Sequence, residues 1–287
     1  MQRNGFYFIG GPYQQILRGL HRALSMPEAF IKLTGNARTG KSRVCEKLTQ
    51  FMRHDDYRVV YFDYAIESPD MLRTTLAQKL ELPDSSNFAR LLEDSLRSDE
   101  QKPVILIFDD AHLLSDITLI EIYRLAEIQV GAHRSLNILL CGEAALENRL
   151  RSNDEFKSLL LSISNRFVLQ VMDEQTLPQF FMAYLQKAEM PGLQLETAAT
   201  NYFYKCCKGY PGPATGLCQL VVQARLGSME LTPIGKDELV RLVKSAESEQ
   251  SLPSSNYRDS NRLALLGPLG LVVIIAVLGF LFQLIND

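Results

Sequence analysis

Residues 35–42 read GNARTGKS, and this stretch decides the fold class. It matches the pattern G-x-x-x-x-G-K-[ST], in which the glycines allow a tight turn whose backbone N–H groups converge on phosphate oxygens. The apolar residues 29–33 before it have the composition of a short buried strand, and residues 41–53 after it follow a helical pattern. A strand, a glycine turn and a helix in this order indicate a phosphate-binding loop, with the positive end of the helix dipole directed at the anion.

The residue types in this loop predict a nucleoside triphosphate and a magnesium ion as ligands. The Lys41 ammonium is expected to reach the β- and γ-phosphates, and the Ser42 hydroxyl is expected to ligate Mg²⁺. We therefore predict ATP and Mg²⁺ as the cofactors. The predicted nucleotide-binding residues are Gly35, Asn36, Ala37, Arg38, Thr39, Gly40, Lys41 and Ser42.

A second pattern, an apolar strand that ends in two carboxylates, lies further along the chain. Residues 103–108 (PVILIF) are apolar and rich in β-branched side chains, as expected of a central parallel strand, and Asp109 and Asp110 follow them. Asp109 is predicted to hold the Mg²⁺ shell beside Ser42. Asp110 stands where ATPases with this type of phosphate loop usually have a glutamate that orients the attacking water. Asp110 is therefore predicted to be catalytic. A solvated turn is the alternative for such a pair, but its position after the phosphate loop favours metal binding.

Hydrophobic periodicity along the chain predicts an α/β domain followed by a helical one. Apolar strands separated by helices indicate a parallel three-layer sheet, whereas four helical stretches without a further strand follow from residue 173. We therefore predict a nucleotide-binding domain over 1–172 and a helical domain over 173–245. The predicted strands are residues 29–33, 58–62, 103–108, 136–141 and 166–171, and the helices of the second domain are 174–189, 195–207, 213–227 and 235–247.

The C-terminal residues 263–285 form a run of 23 residues without a charge. As a helix this run would be about 35 Å long, which is enough to cross a hydrocarbon core of about 30 Å. A polar linker, 246–262, precedes it, and a buried core helix is the alternative interpretation. Arg258 and Arg262 lie before the run and no basic residue follows it, so the positive-inside rule predicts a single-pass transmembrane helix with the ATPase body in the cytoplasm.

Charge and the positions of cysteine and histidine count against nucleic acid binding, a disulfide framework and a zinc site. The chain has 287 residues, with 30 Lys and Arg against 33 Asp and Glu, so its formal net charge of −3 counts against binding to nucleic acid. The number of cysteines is odd, five, and no C-x-x-C pair occurs, which favours a reducing compartment over a disulfide framework. The four histidines form no metal-spaced cluster with each other or with the cysteines, so the sequence predicts no zinc site.

Five stretches of the chain together match a family pattern: residues 28–35, 39–42, 109–112, 139–146 and 208–212. With them, the chain resembles the AAA+ ATPases of the ExeA/GspA/MshM type over roughly residues 7–245. The resemblance implies a parallel sheet in the order 5-1-4-3-2 with a helical lid, ATP binding in the cytoplasm and assembly into a dimer or ring. It also implies service to an envelope machinery at the inner membrane, such as type II secretion, the MSHA pilus or DamX-related, peptidoglycan-linked processes.

The chain departs from the family pattern at positions that matter for hydrolysis. Residues 161–163 are Leu-Ser-Ile where the family often has Gln-Arg-Ile, so the usual arginine finger is missing. Arg166 is the nearest substitute and is predicted to be catalytic, with Arg149 and Arg151 as alternatives. Gly212 stands where the lid usually carries an arginine that senses the γ-phosphate, and Arg38 replaces a glycine of the loop. Because an arginine finger contributes several orders of magnitude to the rate, we expect slow turnover.

The sequence therefore predicts a membrane-anchored AAA+ ATPase that binds Mg–ATP and uses binding and slow hydrolysis to drive or regulate an envelope assembly. Its expected partners are ATP, further copies of the chain, the membrane and an unidentified membrane or envelope protein, with no nucleic acid. One alternative is a pseudo-ATPase scaffold that binds nucleotide without turnover. Another is a DNA-associated AAA+ protein, because transposition ATPases share the phosphate loop and the acidic pair.

Overall fold

The computed structural model describes residues 6–55, 57–83, 88–97, 103–130, 133–134, 136–226 and 232–250. The chain divides into two compact units. One unit is Pro12–Gln170, and the other combines the described parts of Met1–Gly11 and Val171–Asp287.

The first unit alternates strands and helices, as the hydrophobic periodicity predicts. In chain order its elements are α1 (Gly11–Leu24), β1 (Phe30–Thr34), α2 (Lys41–His54), β2 (Arg58–Phe62), α3 (Pro69–Lys79), α4 (Phe88–Arg97), β3 (Val104–Phe108), α5 (Asp116–Ala126), β4 (Gln129–Val130), β5 (His133–Arg134), β6 (Leu136–Gly142), α6 (Ala144–Ser152), α7 (Lys157–Ser162) and β7 (Asn165–Val168).

Five of the strands form one parallel sheet in the order β2-β3-β6-β1-β7. Numbered along the chain as the sheet's own strands, this is 2-3-4-1-5, so the predicted order 5-1-4-3-2 is confirmed. Strands β1, β3 and β6 are buried along their whole length, as expected when helices cover both faces of a parallel sheet. All parallel strands end at one edge, and the phosphate loop after β1 and the acidic pair after β3 therefore lie on the same side of the sheet.

Two helices of this unit, α3 and α5, start at serine residues that satisfy free N–H groups. The Ser68 hydroxyl accepts a hydrogen bond from the Met71 N–H at the start of α3, and the Ser115 hydroxyl accepts one from the Thr118 N–H at the start of α5. Helix α5 ends at Ala126, and β4 and β5 follow as an antiparallel pair. The β-branched Ile128 and Val130 have low helix propensity, which is consistent with an end at Ala126.

In the described part of the second unit, the regular elements are helices, as predicted, and one isolated parallel bridge joins Leu195 to Ile234. Its helices are α8 (Thr176–Lys187), α9 (Thr197–Cys207), α10 (Pro211–Arg225) and α11 (Lys236–Gln250). Phe6 and Phe8 pack edge-on against the buried Phe180 of α8. Arg225 is ion-paired with Glu238, with Nη2 2.8 Å from Oε2, and this contact joins α10 to α11.

Helix α11 extends to Gln250, so the first residues of the stretch 246–262 are helical. Among the residues that the structure describes, none of the helices combines the length and the apolar character needed to cross a membrane. The rest of the predicted linker and the predicted transmembrane helix at 263–285 lie outside the described residues.

Candidate functional site

The loop between β1 and α2 has the tight geometry that its glycines predict. A Cβ atom at Gly35 would lie only 2.6 Å from the carbonyl oxygen of Leu169, so no other residue permits this approach of two backbones. Gly40 has a φ of 96°, in the left-handed region, and directly precedes the first residue of α2. Both glycines of the motif are therefore required by the backbone path.

Arg38 also adopts a left-handed conformation, with a φ of 62°. The resembled family usually has glycine at this position, and a side chain there costs about 1–2 kcal/mol. Asn36, Ala37 and Arg38 are exposed at the tip of the loop, whereas Thr39 is buried. The strain at Arg38 is thus confined to the solvent-facing part of the loop.

The Lys41 side chain lies inside the concavity of the loop and is only 6% exposed. Its Nζ donates hydrogen bonds to the carbonyl oxygens of Gly35, at 3.0 Å, and Asn36, at 2.8 Å. The helix that Lys41 begins has unbonded N–H groups in its first turn, and these add positive potential at the same place. A buried cation held by neutral carbonyl groups at a helix N-terminus fits a phosphate group, which would supply the missing negative charge.

Tyr13 of α1 stabilises this loop through a buried hydrogen bond. The sequence did not predict this role of Tyr13. Its hydroxyl donates a buried hydrogen bond to the Thr39 carbonyl oxygen at 2.9 Å. The Thr39 hydroxyl in turn donates to the Asn36 carbonyl oxygen at 2.9 Å. These bonds hold the loop from inside, and only the packing of α1 against it brings Tyr13 there.

Asp109, the first carboxylate after β3, is almost fully buried, at 4% exposure. Its Oδ2 accepts a hydrogen bond from the Tyr61 hydroxyl at 3.0 Å, and its Oδ1 accepts one from the Asp110 N–H at 3.0 Å. Burial and the nearby Asp109 charge raise the pKa of Tyr61, which keeps its hydroxyl protonated as a donor. Tyr61 lies on the neighbouring strand β2, so its role was not evident from the sequence around Asp109.

Asp109 also lies close to the first turns of α2, which places it beside the phosphate loop. Its carboxylate and the thiols of Cys45 and Cys141 lie within 4.8 Å of one another, and all three residues are buried. Cys45 follows Lys41 by one helical turn, and Ser42, the predicted second Mg²⁺ ligand, is an exposed residue in the first turn of α2. Carboxylate and hydroxyl oxygens are ligands that suit a hard cation, and the residues that would hold Mg²⁺ at this end of α2 are Asp109 and Ser42.

Asp110 differs from Asp109 because its side chain is about half exposed, at 51%. Its φ of 47° is left-handed and turns the chain into a short 3-10 helix that contains His112. The His112 ring lies between two carboxylates, with Nδ1 3.9 Å from Asp110 Oδ1 and Nε2 3.9 Å from Glu143 Oε1. These distances are too long for hydrogen bonds, so the ring lies beside both carboxylates without bonding to either.

Arg149 holds the turn that contains His112 in place. Its Nη1 and Nη2 donate to the carbonyl oxygens of His112 and Leu114, at 3.1 and 2.5 Å. Its Nε lies 2.8 Å from a carboxylate oxygen of Asp116. Arg149 therefore acts as a structural clamp within its own domain.

The structure gives the other arginines contacts within the chain as well. Arg151 is ion-paired with Glu147 at 2.5 Å. Arg166 is an exposed residue of the edge strand β7, where its Nη2 donates to the Leu160 carbonyl oxygen at 2.9 Å. In register it is opposite Lys32, two residues before β1 ends, so it does not join the residues at the loop edge of the sheet.

Comparisons with known proteins agree with this geometry. A family model described as an AAA domain matches residues 24–150. No curated protein matches the chain. Among solved structures, the Aeropyrum pernix ORC2 protein is similar at a TM-score of 0.60 and 11% identity, over 87% of this chain and 72% of that one. Cdc6p from Pyrobaculum aerophilum is similar at a TM-score of 0.60 and 16% identity, over 88% and 73%.

Domain III of the Thermotoga maritima replication initiation protein DnaA is also similar, at a TM-score of 0.53 and 14% identity, over 83% of this chain and 94% of that one. Identities this low establish the fold and leave the activity open. The AAA domain match covers the strand, loop and helix that surround Lys41 and extends past Asp109. The chain therefore carries an AAA+ ATPase domain, built around residues 24–150.

Proposed function

We propose that the protein binds Mg–ATP at the loop between β1 and α2, hydrolyses it slowly, and changes shape between its nucleotide states. The observation that carries this proposal is the position of the Lys41 ammonium, which is buried in the loop and bonded to two loop carbonyl groups. Asp109 is brought to the same end of α2. A cation, convergent N–H groups and a nearby carboxylate are the groups that bind a triphosphate with its metal ion.

Each of these side chains has a distinct part in the proposed reaction. Lys41 neutralises the β- and γ-phosphates, and Asp109 and Ser42 hold Mg²⁺, which neutralises negative charge that develops on the phosphate oxygens. Asp110 orients the attacking water and accepts its proton. His112, which lies between Asp110 and Glu143, places its imidazole ring beside the Asp110 carboxylate.

Three features favour slow turnover. Asp110 is one methylene shorter than glutamate and its side chain is half exposed, which weakens its hold on a single water. Arg149 and Arg151 are both bonded to groups of their own domain. Gly212 stands where the resemblance places an arginine that senses the γ-phosphate, so this charge is missing. A Cβ at Gly212 would meet nothing within 4 Å, so packing does not require glycine at this position.

The test compares the full chain with two lysine variants. Lys41→Ala removes the ammonium from the loop, whereas Lys47→Ala removes the same charge from the same helix, where Lys47 donates to Gln50 at the surface. We expect the wild type and Lys47→Ala to bind Mg–ATP in a calorimetric titration and to release phosphate slowly. Lys41→Ala should weaken binding by roughly a hundredfold, as expected for loss of a charge-assisted contact of about 3 kcal/mol.

The outcome also separates the proposal from its first alternative. Binding without any phosphate release above the Lys41→Ala background would favour a pseudo-ATPase scaffold. Many turnovers per minute would contradict slow hydrolysis, and failure of the wild type to bind nucleotide would contradict both versions.

We further propose that residues 263–285 anchor the protein in the inner membrane with the AAA+ domain in the cytoplasm, where copies of the chain assemble and act on an envelope machinery. Support for this part comes from the sequence, namely the uncharged run and the two arginines before it. Deletion of 263–287 should move the protein from the membrane fraction to the soluble fraction. Sedimentation of the truncated protein with membranes would contradict the anchor.

A DNA-associated function is the second candidate, because some similar structures carry names such as replication initiation protein and Holliday junction branch migration motor. The net charge of −3 opposes it, since duplex binding relies on neutralising phosphates with Lys and Arg. A mobility shift with duplex DNA distinguishes the two. A salt-sensitive shift in the presence of ATP would favour the DNA function, and no shift is expected.

A further inference from the structure

Two thiols and a carboxylate converge in the interior of the AAA+ domain. Cys45 comes from α2, Cys141 from β6, and Asp109 from the turn after β3. Their Sγ and carboxylate oxygen atoms lie within 4.8 Å of one another. Both cysteines have 0% exposure and Asp109 has 4%, so the three groups face each other away from solvent.

The spacing of these atoms is close to that of ligands around one metal ion. With a Zn–S distance of about 2.3 Å, two sulfur ligands of a tetrahedral ion lie about 3.8 Å apart. A spread within 4.8 Å therefore requires each group to move by at most about 0.6 Å toward the centre. Thiolates select zinc and related soft cations over Mg²⁺, which prefers oxygen ligands.

The charge of a loaded site can be balanced by a neighbouring side chain. Binding of a divalent ion releases the two thiol protons to solvent and forms two metal–sulfur bonds, so the ion with two thiolates and one carboxylate carries a net charge of −1. Lys41 interacts electrostatically with Cys141, and its ammonium offsets this charge. Three protein ligands leave one position of a tetrahedral ion open.

We propose that Cys45, Cys141 and Asp109 form a binding site for a thiophilic divalent cation of the zinc class, and that its occupation excludes Mg–ATP. The exclusion follows because Asp109 cannot serve both ions at once, and this part rests on the proposed function. The ligands proposed for Mg²⁺ are oxygen atoms, those of Asp109 and Ser42. The site proposed here shares the Asp109 carboxylate and adds the two sulfur atoms of Cys45 and Cys141. Such a site makes nucleotide binding sensitive to free soft metal ions.

Cadmium is a suitable probe, since bonds between thiolate and Cd²⁺ give an ultraviolet charge-transfer band that can be titrated. The nucleotide-free, fully reduced full chain is compared with Cys141→Ala and with the control Cys218→Ala. Cys218 is equally buried but belongs to α10 of the helical unit. Circular dichroism melting shows which variants remain folded, and Cys45→Ala provides a second variant of the site.

We expect the wild type and Cys218→Ala to show the same charge-transfer band and the same high affinity for Cd²⁺. Cys141→Ala and Cys45→Ala should bind Cd²⁺ with an affinity that is lower by roughly tenfold or more. Any contribution of Cys206 and Cys207 remains in both site variants, so the difference between spectra isolates the proposed site. No thiolate band in the wild type, or an equal band in the folded site variants, would overturn the proposal.

A second measurement separates this inference from the proposed function. Cd²⁺ should lower the affinity of the wild type for a non-hydrolysable ATP analogue with Mg²⁺. At the same Cd²⁺ concentration, the affinity of Cys141→Ala for the analogue should not change. Undiminished nucleotide binding by cadmium-loaded protein would overturn the exclusion. If the wild type binds Cd²⁺ through these thiols but binds no nucleotide at all, the proposed function fails and the metal site stands.

Discussion

Replacing Glu147 with glutamine should strongly destabilise the AAA+ domain, because Glu147 is ion-paired with a buried lysine. Lys32 lies in the middle of β1 and is only 2% exposed. Its Nζ is paired with the Glu147 carboxylate of α6, which is itself 23% exposed and also pairs with Arg151. Glu147→Gln therefore leaves a buried ammonium close to two guanidinium groups, those of Arg151 and Arg166.

The expected loss of unfolding free energy is about 2–3 kcal/mol. Removing one member of a buried ion pair typically costs about 3–5 kcal/mol, and the partial exposure of Glu147 reduces that cost. Lys32→Met should change stability by only about 1 kcal/mol or less, because Glu147 keeps Arg151 and its access to water. The double variant should consequently recover most of the stability that Glu147→Gln loses.

The contribution of Lys32 to the unfolding free energy depends on pH, and the pKa of Lys32 gives the direction. Burial and the charges of Arg166 and Arg151 lower the pKa of Lys32 from 10.5 to about 8. Between these two values the unfolded chain binds more protons than the folded one, so the contribution of Lys32 to stability rises with pH from about 8 to 10.5. In Glu147→Gln the pKa falls further, and the deficit of this variant should shrink between pH 7 and pH 9. In Lys32→Met this contribution is absent.

Urea unfolding followed by circular dichroism, at pH 7 and pH 9, measures these differences. Hydrogen exchange of the β1 amides assigns them to the AAA+ domain and not to the helical unit. The reasoning is refuted if Glu147→Gln unfolds at the same urea concentration as the wild type. It is also refuted if adding Lys32→Met deepens the loss.

Two further substitutions test the loop and the clamp. Gly35→Ala would place a Cβ 2.6 Å from the Leu169 carbonyl oxygen, so it should weaken ATP binding by roughly tenfold or more in a calorimetric titration, whereas unchanged affinity would contradict the close approach. Arg149→Met leaves the carbonyl groups of His112 and Leu114 without their donor and should lower the unfolding free energy by about 2–3 kcal/mol. Loss of turnover at unchanged stability would instead favour an arginine finger at this position.

Strand, loop and helix around Lys41 follow from residues that are close together in the sequence. The apolar run at 29–33, the glycines at 35 and 40 and the amphipathic stretch after them act over distances of a few residues, so a local pattern is sufficient to predict them. The same holds for β3 and the acidic pair at its end. The order of the sheet required more than local patterns, and it was predicted from the resemblance to a family.

Side chains that act across the sheet or between layers were not predictable in this way. Tyr13 contacts the phosphate loop from α1, and Tyr61 contacts Asp109 from the neighbouring strand. Arg166 was predicted to be catalytic from its distance to a family motif along the chain. Its register opposite Lys32 follows from the pairing of β1 with β7, which the sequence near Arg166 does not encode.

The cysteines illustrate the difference most clearly. Their spacing along the chain has no metal-binding pattern, and from that spacing no zinc site was predicted. The parallel order β3-β6-β1 and the packing of α2 on the sheet nevertheless bring Cys45 and Cys141 to the carboxylate of Asp109. The phosphate loop is a property of eight consecutive residues, 35–42, whereas the thiol and carboxylate cluster exists only because separate strands and a helix pack together.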